Sequence, residues 1–307
     1  TGAELMLDEV HWTKPPGRPA RLDFDLGRDA ASKSLELQNF KLDGENIAID
    51  GWVQLGPDNK ARAFFFPEFL LNVVSNMEAR GTMRPERAWA VKVRGKTPFD
   101  AGDMLRALMV LNTAATRPLA KERPGVDLSA EFDIVLGLGE LRLKHVRLKS
   151  QKRADQIVAV DFSGLLDSNR PLTAMMKPEP GRPRTLRIET SDAGQALKMI
   201  GFYQNMVGGN GVLEINLDGR GAAEKQGAAT ITRFRLLGDP IAAEVFQTPD
   251  GTRPAIDQVR PGPRRVLREE FDFDLLKAPF LVGNGQLIIE DAVARGPLIG
   301  ASLRGKV

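Results

Sequence analysis

Cysteine is absent from this 307-residue chain, histidine occurs only as His11 and His145, and tyrosine only as Tyr203. The lack of cysteine excludes disulfides, thiolate nucleophiles and cysteine-ligated zinc. The two histidines stand far apart and in no metal-ligand spacing such as H-E-x-x-H. Neither a G-x-S-x-G nucleophile elbow nor a G-x-x-x-x-G-K-[ST] phosphate loop is present. Gly137-Leu138-Gly139 lacks the third glycine of a dinucleotide fingerprint and leads into strand pattern. The most apolar stretch, Ala63 to Val74, is interrupted by Pro67 and Glu68 and is too short to span a bilayer. Charge of one sign is scarce as well. Lys+Arg 43 against Asp+Glu 40 leaves a net charge of +3, spread along the chain and not gathered into a nucleic-acid footprint. The densest basic run, Arg260-Pro-Gly-Pro-Arg264-Arg265, falls in a Pro/Gly-rich linker.

Two carboxylate pairs, Asp23/Asp25 and Asp272/Asp274, each share one face of an alternating segment whose other face is apolar. They read as the wet side of half-buried strands, since acid–base work needs burial that such positions do not provide. No catalytic residue, metal site or cofactor is expected. The chain starts at Thr1 in patterned sequence and stops at Val307 in mid-alternation, which reads as a piece of a longer protein.

Period-two alternation is what the sequence does have. Arg21 to Leu26, Ile47 to Asp50, Trp89 to Arg94, Leu186 to Glu189, Leu213 to Asp218 and Phe271 to Asp274 alternate strictly. Strands of this kind have one apolar and one wet face, as in antiparallel sheets. Aromatics are only 6% of the chain, so the apolar face is mainly aliphatic.

Four segments carry a slipped version of the pattern, with apolar residues at i, i+2, i+5 and i+7. They are Leu35, Leu37, Phe40, Leu42; Leu141, Leu143, Val146, Leu148; Ala229, Ile231, Phe234, Leu236; and Leu287, Ile289, Ala292, Ala294. The intervening pairs are Gln38-Asn39, Lys144-His145, Thr232-Arg233 and Glu290-Asp291. An unbroken strand with this slip would turn its second half to the opposite face, and one bulged residue would restore it. A bulge or kink is predicted at each pair. Three of the four segments precede a second strand containing glycine (Gly51, Gly164 and Gly305), which predicts a repeated hairpin module.

Two further stretches, Asp100 to Arg106 and Asp192 to Lys198, match in order. Each predicts a short amphipathic helix capped by its aspartate. The first would carry Leu105, Leu108, Met109 and Leu111; the second Leu197, Ile200 and Tyr203, stopping at Gly208-Gly209-Asn210-Gly211. Linkers are predicted at Lys14–Pro19, Thr113–Gly125, Pro178–Pro183 and Thr248–Pro263. The expected fold is mainly β with a few short helices. It is a strongly curled antiparallel β-sheet, a groove built from repeated hairpins, because few helices are available to cover the apolar face. The expected division is an N-terminal β-sheet segment over 1–112 ending in a short helix, a central segment with a helix over 113–247, and a linker with C-terminal hairpins over 248–307, continuing the same sheet.

The stretch Leu186-Arg-Ile-Glu-Thr-Ser-Asp192-Ala-Gly-Gln-Ala-Leu197, with Gly201-Phe-Tyr203-Gln-Asn-Met206-Val-Gly208-Gly209 and Gly227 to Asp239, resembles the AsmA-like C-terminal region of YhdP-type envelope proteins. Gly285 to Gly305 is similar to that family's terminal hairpins. The likeness is specific over about Lys92–Val307 and looser before it. It implies an inner-membrane anchor outside this chain, a periplasmic location, and a long curled sheet whose apolar trough shelters phospholipid tails between the inner and outer membranes. The relative TamB adds an alternative role, in outer-membrane protein assembly. A plain structural β-domain is the third reading. Nothing in the family supplies catalytic residues. The slipped sets give the candidate groove lining: Leu35, Leu37, Phe40, Leu42, Leu141, Leu143, Val146, Leu148, Ile231, Phe234, Leu236, Leu287 and Ile289. Phospholipid or another acyl lipid is the expected partner, and nucleic acid is not.

Overall fold

The computed structural model describes residues 5–7, 12–14, 19–28, 34–102, 105, 124–153, 156–179, 181–218, 224–240, 270–283, 286–297 and 300–306. A small ribbon, β1 (Leu5–Leu7) with β2 (Trp12–Lys14), stands apart from the main sheet. The first half of that sheet contains β3 (Ala20–Arg28), β4 (Leu35–Gly44), β5 (Ile47–Leu55), β6 (Ala61–Leu71), β7 (Ser75–Met83), β8 (Ala88–Gly95) and the short β9 (Phe99–Asp100). The second half contains β10 (Gly125–Leu136), β11 (Arg142–Arg153), β12 (Gln156–Leu166), β13 (Pro171–Met176), β14 (Thr185–Thr190), β15 (Met206–Asn216), β16 (Glu224–Leu237), β17 (Glu270–Gly283), β18 (Gln286–Arg295) and β19 (Gly300–Lys306). Helix α1 (Ala193–Met199) lies between β14 and β15.

Neighbouring strands pair antiparallel throughout, except where β10 runs parallel to β8 and β9 and joins the halves. The result is one large sheet of 17 strands. Among the described residues no ladder register joins β19 to β3, and β3 is exposed along nearly its whole length. The sheet is therefore open, and it is not strongly curled, contrary to the expectation from sequence. That expectation assumed that curling alone could hide the apolar face. Part of the face is instead covered by α1 and by local clusters of large side chains.

Asparagine sets many of the turns: Asn46, Asn59, Asn72 and Asn169 all adopt positive φ, which this side chain tolerates well. Three of the four slipped segments carry the bulge their spacing predicts. Leu37/Phe40 in β4, Lys144/Arg147 in β11 and Ile289/Ala292 in β18 each bracket a register shift against the following strand. At the shift Phe40 faces Gly51 and Ile289 faces Gly305, while Gly164 falls in the gap opposite the bulge in β11. The fourth site differs. β16 stays in register with both neighbours across Thr232–Phe234. Arg233 (φ 55) instead faces Gly209 (φ 91), so two adjacent strands kink together without an extra residue.

Helix α1 begins as expected, with the Asp192 carboxylate accepting from the Gln195 amide at 3.1 Å. It ends earlier than expected, at Gly201 (φ 73). There the Gly201 amide donates to the Lys198 carbonyl and the Phe202 amide to the Leu197 carbonyl, the Schellman pattern. Gly208-Gly209-Asn210-Gly211 is consequently not a turn but part of β15. Small residues are needed where the helix crosses the sheet: a Cβ on Gly194 would lie 2.4 Å from the Met206 carbonyl oxygen. Of the other predicted helix, Gly102 and Leu105 are helical, with the Leu105 amide donating to the Ala101 carbonyl. Leu108, Met109 and Leu111 lie outside the described residues, as do His11, Arg260 to Arg265 and the linker Thr248–Pro263.

Candidate functional site: the apolar face of the sheet

Cross-strand registers define the two faces of the sheet. Starting in β6, Phe66 faces Ala79, which faces Val93, which faces Ala130 across the parallel junction. The row continues through Leu148, Phe162 and Ala174. It then passes Ile188, Leu213 and Ala229 to reach Ala278 in β17. These eleven residues form an apolar row without a polar interruption, every member half-buried or buried. The row beside it on the opposite face reads Arg80, Lys92, Ser129, Lys149, Asp161, Met175, Arg187 and Glu214. Seven of the eight are exposed, and Ser129 is half-buried. Strand alternation thus separates hydrocarbon from charge over most of the sheet.

The apolar face is filled unevenly. One cluster joins Ala101, Val135, Leu143, Val146, Leu166 and Met199, with Leu141 packed against it. A second joins Ala193, Met206, Ile231, Phe234 and Phe273, with Leu236 at its margin. The rings of Phe234 and Phe273 stack with centroids 5.1 Å apart. Both clusters include residues of α1. A third joins Leu42, Ile47 and Ile49, with Phe40, Phe66 and Phe69 packed against it. Leu143, only 2% exposed, and Val146, Ile231, Phe234 and Leu42 are core residues. Leu35, Leu37, Leu148, Leu287 and Ile289 are half-buried. The structure thus distributes the thirteen candidate lining residues over three clusters and the intervening face.

Sequence reasoning missed most of the continuous row, including Val93, Ala130, Phe162, Ala174, Ile188 and Leu213. Their signal was present as plain alternation. Attention to the slipped segments favoured positions beside bulges, where packing is densest.

Polar chemistry is sparse on this face. Tyr203 donates to the buried Asp239, to which the Asn205 amide also donates at 3.3 Å. Burial first, and then the bond to Asp239, push the Tyr203 phenol well above the usual tyrosine value. His145 is exposed at its bulge with φ 51. Asp23, Asp25, Asp272 and Asp274 are all exposed, with Asp23 bonded to Arg21 and Asp25 to Asn39. Among the described residues no group of three His, Asp or Glu side chains is placed to hold a metal ion, and no helix is long and apolar enough to cross a membrane. The chain matches no family model, no curated protein and no solved structure.

Proposed function

We propose that this chain is a segment of an AsmA-like, YhdP-type envelope protein that shelters phospholipid acyl chains on the apolar face of its sheet, without a chemical step. The single observation behind the reading is the uninterrupted apolar row from Phe66 to Ala278, backed on the other face by charge. An acyl chain exposed to water costs about 0.8 kcal/mol per CH₂, so a sixteen-carbon tail costs on the order of 10 kcal/mol. A continuous aliphatic strip removes much of that barrier. Having no polar reader along the row, it would distinguish lipids poorly. On this reading the protein works in the periplasm, anchored to the inner membrane by a segment outside this chain, and passes lipid between inner and outer membranes.

The test is a photo-crosslinking residue at Phe162 or Ile188, with a matched one at Glu214 on the charged face. Phospholipid captured from the first two positions and not from the third is the expected result. Equal capture from both faces, or none from either, overturns the reading. A second role, scaffolding outer-membrane proteins by strand addition, is favoured by β3. This end strand exposes Leu22, Phe24 and Leu26, the last 63% exposed. Crosslinks from β3 to protein and none from the face to lipid would favour this role.

A further inference from the structure

On the face away from the apolar row, a cavity of ≈ 500 Å³ lies over β8 and β10–β13. Two adjacent cross-strand rows line it: Lys92, Ser129, Lys149, Asp161 and Met175, and beside them Ala90, Asp127, Gln151 and Ala159. Because side chains alternate between faces, both rows stand on the charged side. The small residues Ala90, Ser129 and Ala159 leave the depression. Arg84, Lys92, Lys149 and Lys177 surround it.

The charges of this cavity are unevenly satisfied. Asp127 is held by Arg84 at 2.6 Å and by Arg153 at 2.6 Å, so its negative charge is already met. Asp161 faces Lys149 across the ladder, yet no ion pair forms between them within 4 Å among the described residues. Lys92, Lys149 and Lys177 likewise have no ion pair or hydrogen-bond partner among the described residues. Lys92 and Lys149 flank Ser129, two strands apart, which puts their backbones about 10 Å from each other. Two flexible ammonium groups can converge from that spacing over a hydroxyl donor. This is the donor set of a phosphate oxyanion, which takes several charge-assisted hydrogen bonds.

We propose that this cavity binds a phosphate group, clamped by Lys92 and Lys149 over the Ser129 hydroxyl, with Lys177 adding attraction from the rim. The site does not depend on the acyl-chain reading, because it occupies the other face. Its volume exceeds that of one phosphate and leaves room for an attached glycerol.

The test is calorimetric titration of the full chain at low salt with two probes: inorganic phosphate, and dihexanoyl phosphatidylglycerol below its micellar concentration. Lys92→Gln and Lys149→Gln are compared with Lys277→Gln, an exposed lysine on β17 that makes the same charge change elsewhere. Expected is saturable, salt-sensitive binding weakened about tenfold by either cavity variant and unchanged by Lys277→Gln. If both probes bind and respond alike, the phosphate alone is the ligand. If only the lipid binds and still responds, the ligand is a headgroup. Lipid binding insensitive to Lys92→Gln and Lys149→Gln overturns the proposal while leaving the acyl-chain reading standing. An equal loss with Lys277→Gln overturns the proposal too, and so does the absence of saturable binding of either probe, the acyl-chain reading being judged separately by its own crosslinking test.

Discussion

Leu143 and Leu148 sit on the same face of β11, one on either side of its bulge, and they separate a packed core from an open face. Leu143 is 2% exposed among Val135, Val146, Leu166 and Met199, and its methyl groups close over Gly164. Leu143→Ala removes three carbons, worth about 2.4 kcal/mol of transfer. It also leaves a cavity that the rigid strands around it cannot close, so the expected total is roughly 3–4 kcal/mol. Leu148 is half-buried, between Ala130 and Phe162 in the apolar row. Leu148→Ala loses about half of the transfer term and encloses no void, so the expected cost is about 1 kcal/mol. Urea unfolding, read by tryptophan fluorescence at unchanged m-value, measures both. Equal costs near 3 kcal/mol would mean that the row is buried core and leaves no face for hydrocarbon. If instead the costs differ as expected, added short-chain lipid should stabilise the parent protein more than Leu148→Asp, by mass action on the folded state.

Val73 adopts φ 66 while 69% exposed. Val73→Asn should therefore raise stability by about 1 kcal/mol, since a β-branched residue is strained in this region and loses little packing on replacement; no gain in thermal midpoint would contradict this. Gly194→Ala drives a methyl against the Met206 carbonyl and should cost about 1–3 kcal/mol by lifting α1 off β15, visible as lost amide protection in β15. Tyr203 is the chain's sole tyrosine, so phenolate absorbance follows it alone. Its folded-state pKa is raised, so the folded form holds the proton more tightly than the unfolded one. The resulting stability is complete below the unfolded value of about 10 and declines as pH rises above it. Unfolding the protein at alkaline pH should release that proton, and Tyr203→Phe should flatten the alkaline limb of the stability profile.

The β class and most strands were legible because hydrophobic alternation is a local signal. Three bulges were legible for a related reason: a two-residue slip such as Gln38-Asn39 or Lys144-His145 cannot keep one face inward unless a residue is extruded. Thr232-Arg233 gave the same signal but a different outcome, because Gly209 across the ladder kinks with it, and the partner's conformation is not written in β16. The end of α1 was misplaced because Gly201 is one glycine against three at 208–211, yet only Gly201 is where the helix carbonyls find their amides. The parallel junction of β8 with β10 was not legible. It depends on how the chain between them returns, and strand pattern carries no information about that. The expected curl failed on a premise. Bulges and glycines permit bending, but they do not require it once α1 and the phenylalanine clusters cover part of the face.

The row's direction bears on its proposed use. It runs across the strands, so its length is set by the number of strands and not by their length. Ten spacings from β6 to β17 give about 48 Å, against a bilayer hydrocarbon core of about 30 Å that holds two opposed acyl chains. A tail lying along such a strip meets Ala, Val, Leu, Ile and Phe and no hydrogen-bonding side chain that would fix its position. The free energy of holding the tail then depends on how many CH₂ groups are covered, at about 0.8 kcal/mol each, and hardly on where along the row it lies. A flat profile of this kind favours sliding over capture. Affinity should therefore rise with chain length in regular steps, and it should be nearly indifferent to any single alanine substitution along the row.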